Sequence, residues 1–183
     1  MRLAAAGLLA LALLSVPACG GGGGGGGGPQ PPTRPLPGIT LTPAGAASPA
    51  FRLVSGPAST TTVLEVEVRA DGVSDLYGLA FDLSYPSAQL RFDSFAEGNF
   101  LAGAGTNSSL QVVRDGSNRL IVGFTRLGAA AGVSGSGVLL TLRFTAIGAG
   151  LGDLVYLRNR SYTPNGTEQT GVNWAGANVN VVL

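Results

Sequence analysis

From Ile39 onward the chain alternates apolar and polar residues in short runs broken by Gly, Ser, Asp and Pro. Residues 62–70 set Leu64, Val66 and Val68 on one side and Glu65, Glu67 and Arg69 on the other. That is the period of two of a half-buried strand. Residues 76–85 repeat the pattern, with Tyr77, Leu79, Phe81, Leu83 and Tyr85 inward and Gly78, Ala80, Asp82 and Ser84 outward. Residues 119–126 direct Leu120, Val122 and Phe124 inward, and residues 137–148 do the same with Val138, Leu140, Leu142, Phe144 and Ala146. Shorter strands are predicted at 50–54, 89–95, 110–114, 153–158 and 177–183. Asp115, Gly116, Ser117 and Asn118 separate two strands at hairpin distance. No helical period occurs in this region, and glycines dilute the Ala-rich patch 127–133 that comes nearest to one. Short strands with one apolar face each predict an all-β fold, an antiparallel β-sandwich with its two inward faces packed together.

Composition narrows the function. Charged residues make up 11% of the chain and hydrophobic ones 45%, which suits a packed domain rather than a disordered one. There is no histidine, and Cys19 is the only cysteine. The sandwich therefore has no Ser-His or Cys-His pair, no His/Cys metal set and no disulfide. Carboxylate chemistry would need a deep cleft that the pattern does not signal, so no catalytic residue is assigned and an enzyme is not expected. Acidic and basic residues nearly cancel without a basic block, which removes the electrostatic basis for nucleic-acid binding. Asp71, Ser74 and Asp75, and again Asp115, Ser117 and Asn118, give oxygen-rich turns without EF-hand spacing. Asp and Asn are also ordinary turn formers, so no metal ligand or cofactor is assigned.

The first residues have a different texture. Arg2 precedes an apolar run over 3–14, too short for the roughly 20 residues that span a bilayer, and small residues follow. This is the layout of a secretory signal peptide. Val16, Pro17, Ala18 and Cys19 resemble the lipobox of bacterial lipoproteins. The family usually has Leu where Val16 stands and a small residue where Pro17 stands. The resemblance implies cleavage before Cys19, a diacylglycerol on its thiol and a place in the bacterial cell envelope, bound to the lipid bilayer. Gly20 rather than Asp after that cysteine resembles outer-membrane sorting in Gram-negative species. Glycines 20–28 form a flexible coil with ends roughly 15–18 Å apart, and the prolines of 29–37 favour polyproline II at about 3.1 Å per residue. The expected organisation is a signal peptide over 1–18, a lipidated cysteine and linker over 19–37, and a sandwich domain over 38–183.

Two stretches of the sandwich resemble the cohesin domain family. Over 75–92, Tyr85, Pro86 and Ser87 stand for the family's Tyr-Asp-Pro turn, without its aspartate. Leu90 follows, and Glu97 and Gly98 match a Gly-containing loop. Over 135–146, Gly137, Val138 and Leu139 precede a Phe144, Thr145, Ala146 ending, and 178–183 fits a closing strand. The resemblance implies a nine-stranded jelly roll that captures dockerin modules, small calcium-dependent helical pairs, on one sheet face. Calcium would then enter only through the partner. Mapped by strand order, that face takes Ala80, Asp82, Ser84, Ile121, Gly123, Thr125, Thr141 and Arg143. Small residues leave it flat, and Ile121 is its apolar anchor. As a plain solvated face it would leave Ile121 and Leu139 as ordinary exposed residues.

Two other roles fit the same pattern. A carbohydrate-binding module of the envelope would stack polysaccharide on exposed rings, and Tyr156, Tyr162 and Trp174 are the candidates. Trp174 also suits core packing or a rim cover. A passive envelope module would show neither a ring row nor a docking face. The polar stretch 158–167 is a long loop able to serve either site.

Overall fold

The computed structural model describes residues 37–45, 50–103 and 107–183. The signal segment, Cys19 and the linker up to residue 36 lie outside them. Eleven strands follow in chain order: β1 (Gly38–Pro43), β2 (Phe51–Ser55), β3 (Val63–Leu76), β4 (Gly78–Ser84), β5 (Leu90–Glu97), β6 (Ser108–Asp115), β7 (Arg119–Arg126), β8 (Val133–Ala146), β9 (Gly150–Tyr162), β10 (Trp174–Ala175) and β11 (Ala177–Val182). They form a six-stranded sheet, β1-β11-β9-β4-β7-β6, and a five-stranded sheet, β10-β2-β3-β8-β5. All pairs are antiparallel except β10 with β2. The nine expected strands are β2 to β9 and β11. Sequence pattern missed β1, a short edge strand ending in Pro43, and the two-residue β10.

The inward rows pack as the alternation requires. Leu79, Phe81 and Leu83 of β4 and Leu120, Val122 and Phe124 of β7 meet Leu64, Val66 and Val68 of β3 and Leu140, Leu142 and Phe144 of β8. Each fully buried side chain of this size contributes about 1.5–3 kcal/mol. Among the described residues the core runs from Ile39 to Val181, and residues 35–183 cluster as one compact unit.

Four expectations need correction. Residues 158–162 are not a loop but the end of β9, and the loop starts only at Thr163. Residues 76–85 are not one strand: Leu76 ends β3, and the chain crosses at Tyr77 into β4 in the other sheet. Tyr77 is therefore half-exposed, its phenol donating to the Gly128 carbonyl at 2.7 Å. The supposed turn over 71–75 lies within β3, whose ladder continues irregularly to Val73 opposite Gly135 and Leu76 opposite Val133. Gly72 (φ 60°) and Asp75 (φ 51°) absorb the irregularity in the left-handed region.

Leu139 is fully buried, not exposed. Val68 pairs with Leu140 but Arg69 with Val138, so Leu139 is the extra residue of a β-bulge. The segment after β5 lies against this bulge, Gly98 N–H donating to the Leu139 carbonyl at 2.8 Å. A Cβ at Gly98 would stand 2.2 Å from the Val138 oxygen, so only glycine permits that approach. The hairpin at 115–119 forms as expected, with Gly116 at φ 69°.

Candidate functional site

On the outer face of the six-stranded sheet, the register of β6, β7, β4 and β9 aligns side chains in rows. Ser109, Thr125, Gly78 and Tyr162 form the first, and Gln111, Gly123, Ala80 and Arg160 the second. Val113, Ile121, Asp82 and Leu157 form the third, and Asp115, Arg119, Ser84 and Val155 the fourth. Six predicted residues, Ala80, Asp82, Ser84, Ile121, Gly123 and Thr125, thus share one face. The other two do not. Thr141 and Arg143 belong to β8, in the opposite sheet, where they pair with Glu67 and Glu65 of β3. Alternation sets which side of a strand a residue takes, not which sheet the strand joins. Arg143 instead acts on Asp93 of β5. Burial pushes that carboxyl up, but hydrogen bonds from Thr145 and Arg91 and the charges of Arg91 and Arg143 outweigh it and hold the group below its ordinary range.

The face is more apolar than the sequence indicated. Five of the nine large exposed apolar side chains among the described residues lie on it: Val113, Ile121, Leu151, Val155 and Leu157. Val113 is 55% exposed and stands directly opposite Ile121, 41% exposed. Leu157 and Val155 follow two residues apart on β9. Sequence reasoning missed Val113, Leu151, Val155 and Leu157, although the alternation of the last three with buried Leu154 and Tyr156 on β9 was an available signal.

Asp82, buried within this face, is held by ion pairs. Arg158 donates to its carboxylate, and an Arg119 nitrogen lies 3.8 Å away. A bulge in β9 makes this possible. Asp82 faces Leu157 while Ala80 faces Arg160, so Arg158 and Asn159 share one step of the ladder. Arg158 takes φ 49°, and its side chain reaches over Asp82 on the outer face. Beyond the bulge the parity of β9 reverses. Ser161 turns inward and is buried, and Tyr162 turns outward.

Arg158→Ala is expected to cost about 1–3 kcal/mol, because it strands a buried carboxylate. Asp82→Ala leaves two solvent-reaching arginines and should cost about 1 kcal/mol or less. Denaturant titration of both variants checks the order, and equal losses would remove the buried-acceptor explanation.

The three candidate rings separate. Trp174 packs on Phe51 with ring centroids 4.1 Å apart, and on Tyr156 and Phe81 at 5.1 and 5.7 Å. Tyr156 is buried against Phe81 at 5.0 Å, and burial pushes its phenol up. Tyr156 therefore belongs to the core, and Trp174 is a half-buried ring packed against it, the rim cover that its sequence also suited. Tyr162 is half-buried and lines a recess of about 480 Å³ with Tyr77, Gly78, Gly123 and Thr125. Among the described residues no cluster of three His, Cys, Asp or Glu side chains could hold a metal ion.

No protein-family model and no curated protein matches the chain. Solved structures do. A non-cellulosomal cohesin from Archaeoglobus fulgidus is 18% identical, with a TM-score of 0.51, covering 76% of this chain and 88% of its own. The third cohesin of ScaC from Acetivibrio cellulolyticus, solved in complex with the ScaB dockerin, is 15% identical, with a TM-score of 0.56, covering 67% and 90%. A cohesin module from a Clostridium perfringens family 33 glycoside hydrolase is 9% identical, with a TM-score of 0.55, covering 78% and 97%. The two sheets between Gly38 and Val182 have the fold of a cohesin module.

Proposed function

We propose that the chain is a lipid-anchored, non-catalytic docking module of the bacterial envelope, and that the outer face of its six-stranded sheet captures another protein. The observation that carries this is the apolar cluster of Val113, Ile121, Leu157 and Val155 around the ion-paired Asp82. Packed apolar side chains encircled by polar ones are the anatomy of a protein interface, and contiguous exposed apolar patches mark such sites. The partner is a dockerin-like module, a small calcium-loaded helical pair, because a helix can lie along this sheet face. The cohesin of ScaC, which shares this fold, was solved with a dockerin bound. The anchor is Cys19, whose lipids hold the chain on the membrane, outer rather than inner in a Gram-negative cell.

Residues 38–183 immobilised as bait, with lysate of the source organism passed over them in calcium and then in chelator, test this reading. The expected result is a protein held only in calcium, identified by mass as carrying paired helical calcium loops. Retention of nothing, or of proteins indifferent to calcium, would overturn dockerin-type docking.

A further inference from the structure

We infer that the recess at the Tyr162 end of the six-stranded sheet is a separate binding site for a single neutral hexopyranose residue of a glycan. It does not depend on the docking reading, because the apolar cluster lies one row further along the sheet. Its volume of about 480 Å³ falls within the size of small-ligand sites. No charged side chain lines it. Arg160, the cation beside Tyr162, is already paired with Glu168 at 2.6 Å, so the lining favours an uncharged guest.

The polar groups that do line it favour a sugar over an apolar side chain. The Ser109 hydroxyl and the Gln111 amide border the recess and have no hydrogen-bond partner among the described residues. Between them they can donate and accept, as the hydroxyls of a pyranose require. A leucine or phenylalanine from a docked helix would cover both and leave them unpaired. Tyr77 and Tyr162 supply apolar ring surface for the C–H face of the sugar.

The walls are set before any ligand arrives. The Tyr77 phenol is fixed on the Gly128 carbonyl, and the Tyr77 N–H donates to the Tyr162 carbonyl at 2.8 Å. The loop after Tyr162 is closed by Thr163 N–H to the Thr167 carbonyl at 3.0 Å and Gly166 N–H to the Thr163 carbonyl at 3.0 Å.

Gly123 forms part of the recess, in mid-strand between Ala80 and Gln111. Its backbone does not require glycine: φ lies outside the left-handed region, and a Cβ there would meet nothing within 4 Å. A glycine inside a strand weakens it and often marks the close approach of a ligand. Here its missing side chain is what leaves the recess open.

Residues 38–183, labelled with nitrogen-15, would be titrated with neutral hexamers of glucose, mannose, galactose and N-acetylglucosamine, each to about 10 mM. The expected result is that at least one hexamer shifts the amides of Gly78, Gly123 and Gly166. Gly123→Leu should weaken that binding about tenfold or more without lowering thermal stability. Ile121→Asp should leave it unchanged, which separates this site from the docking face. The inference is overturned if no hexamer moves these amides, or if Gly123→Leu binds as the parent does. It is equally overturned if the recess responds only to a captured protein module, whose side chain would then be the occupant.

Discussion

Trp174→Ala is expected to lower the unfolding free energy by about 3 kcal/mol, the low end of the cost of truncating a large aromatic, because the indole is half-buried against the core. Trp174 begins the two-residue β10, which pairs in parallel with Phe51 and Arg52 of β2. So short a strand has little ladder to hold it, and the packing of its indole on Phe51, Phe81 and Tyr156 supplies most of the attachment. Removing the indole opens a cavity among three rings and lets water reach a segment that closes one edge of the five-stranded sheet. Trp174→Phe should recover about half of the loss, because one ring still fills part of the space. Chemical denaturation followed by far-ultraviolet circular dichroism measures both. A Trp174 that served as a surface platform for sugar would leave stability within about 0.5 kcal/mol of the parent, and that outcome would overturn its packing against the core.

Much of the sandwich was legible because a period of two has only one physical reading over many residues. Leu64, Val66 and Val68, or Leu120, Val122 and Phe124, are buried as a set or not at all. Ile121 was legible on the docking face for the same reason, since it shares its strand with those buried residues. Bulges defeated the pattern elsewhere. The extra residue at Leu139 leaves no mark in composition, yet it carries that residue into the protein interior. The bulge at Arg158 reverses the parity of β9. Tyr162, which would follow Leu154 and Tyr156 inward in an unbroken strand, instead lines the recess. Sheet membership was also hidden. β3 and β4 are separated only by Tyr77 but lie in different sheets, and β8 presents Thr141 and Arg143 on the face opposite Ile121. These are consequences of long-range pairing, and no local spacing encodes them.

Ile121→Asp is expected to reduce capture of the dockerin-type partner by about thirtyfold or more, in line with the loss of at least about 2 kcal/mol at an interface hot spot. The residue stands opposite Val113 on β6 and Asp82 on β4, at the centre of the apolar cluster. A carboxylate there would have to shed its water beneath the partner, beside an Asp82 already occupied by Arg158. In the free protein the same carboxylate stays largely hydrated, because Ile121 is exposed, so the loss of stability should stay near about 1–2 kcal/mol, the cost of an Asp in a strand opposite Asp82. Surface plasmon resonance with the captured module, together with a denaturation curve, separates lost binding from lost fold. Thr141→Asp supplies the contrast, since β8 lies in the opposite sheet and should leave capture intact. If Thr141→Asp abolished capture while Ile121→Asp spared it, the partner would dock on the five-stranded sheet, and the apolar cluster would need another occupant.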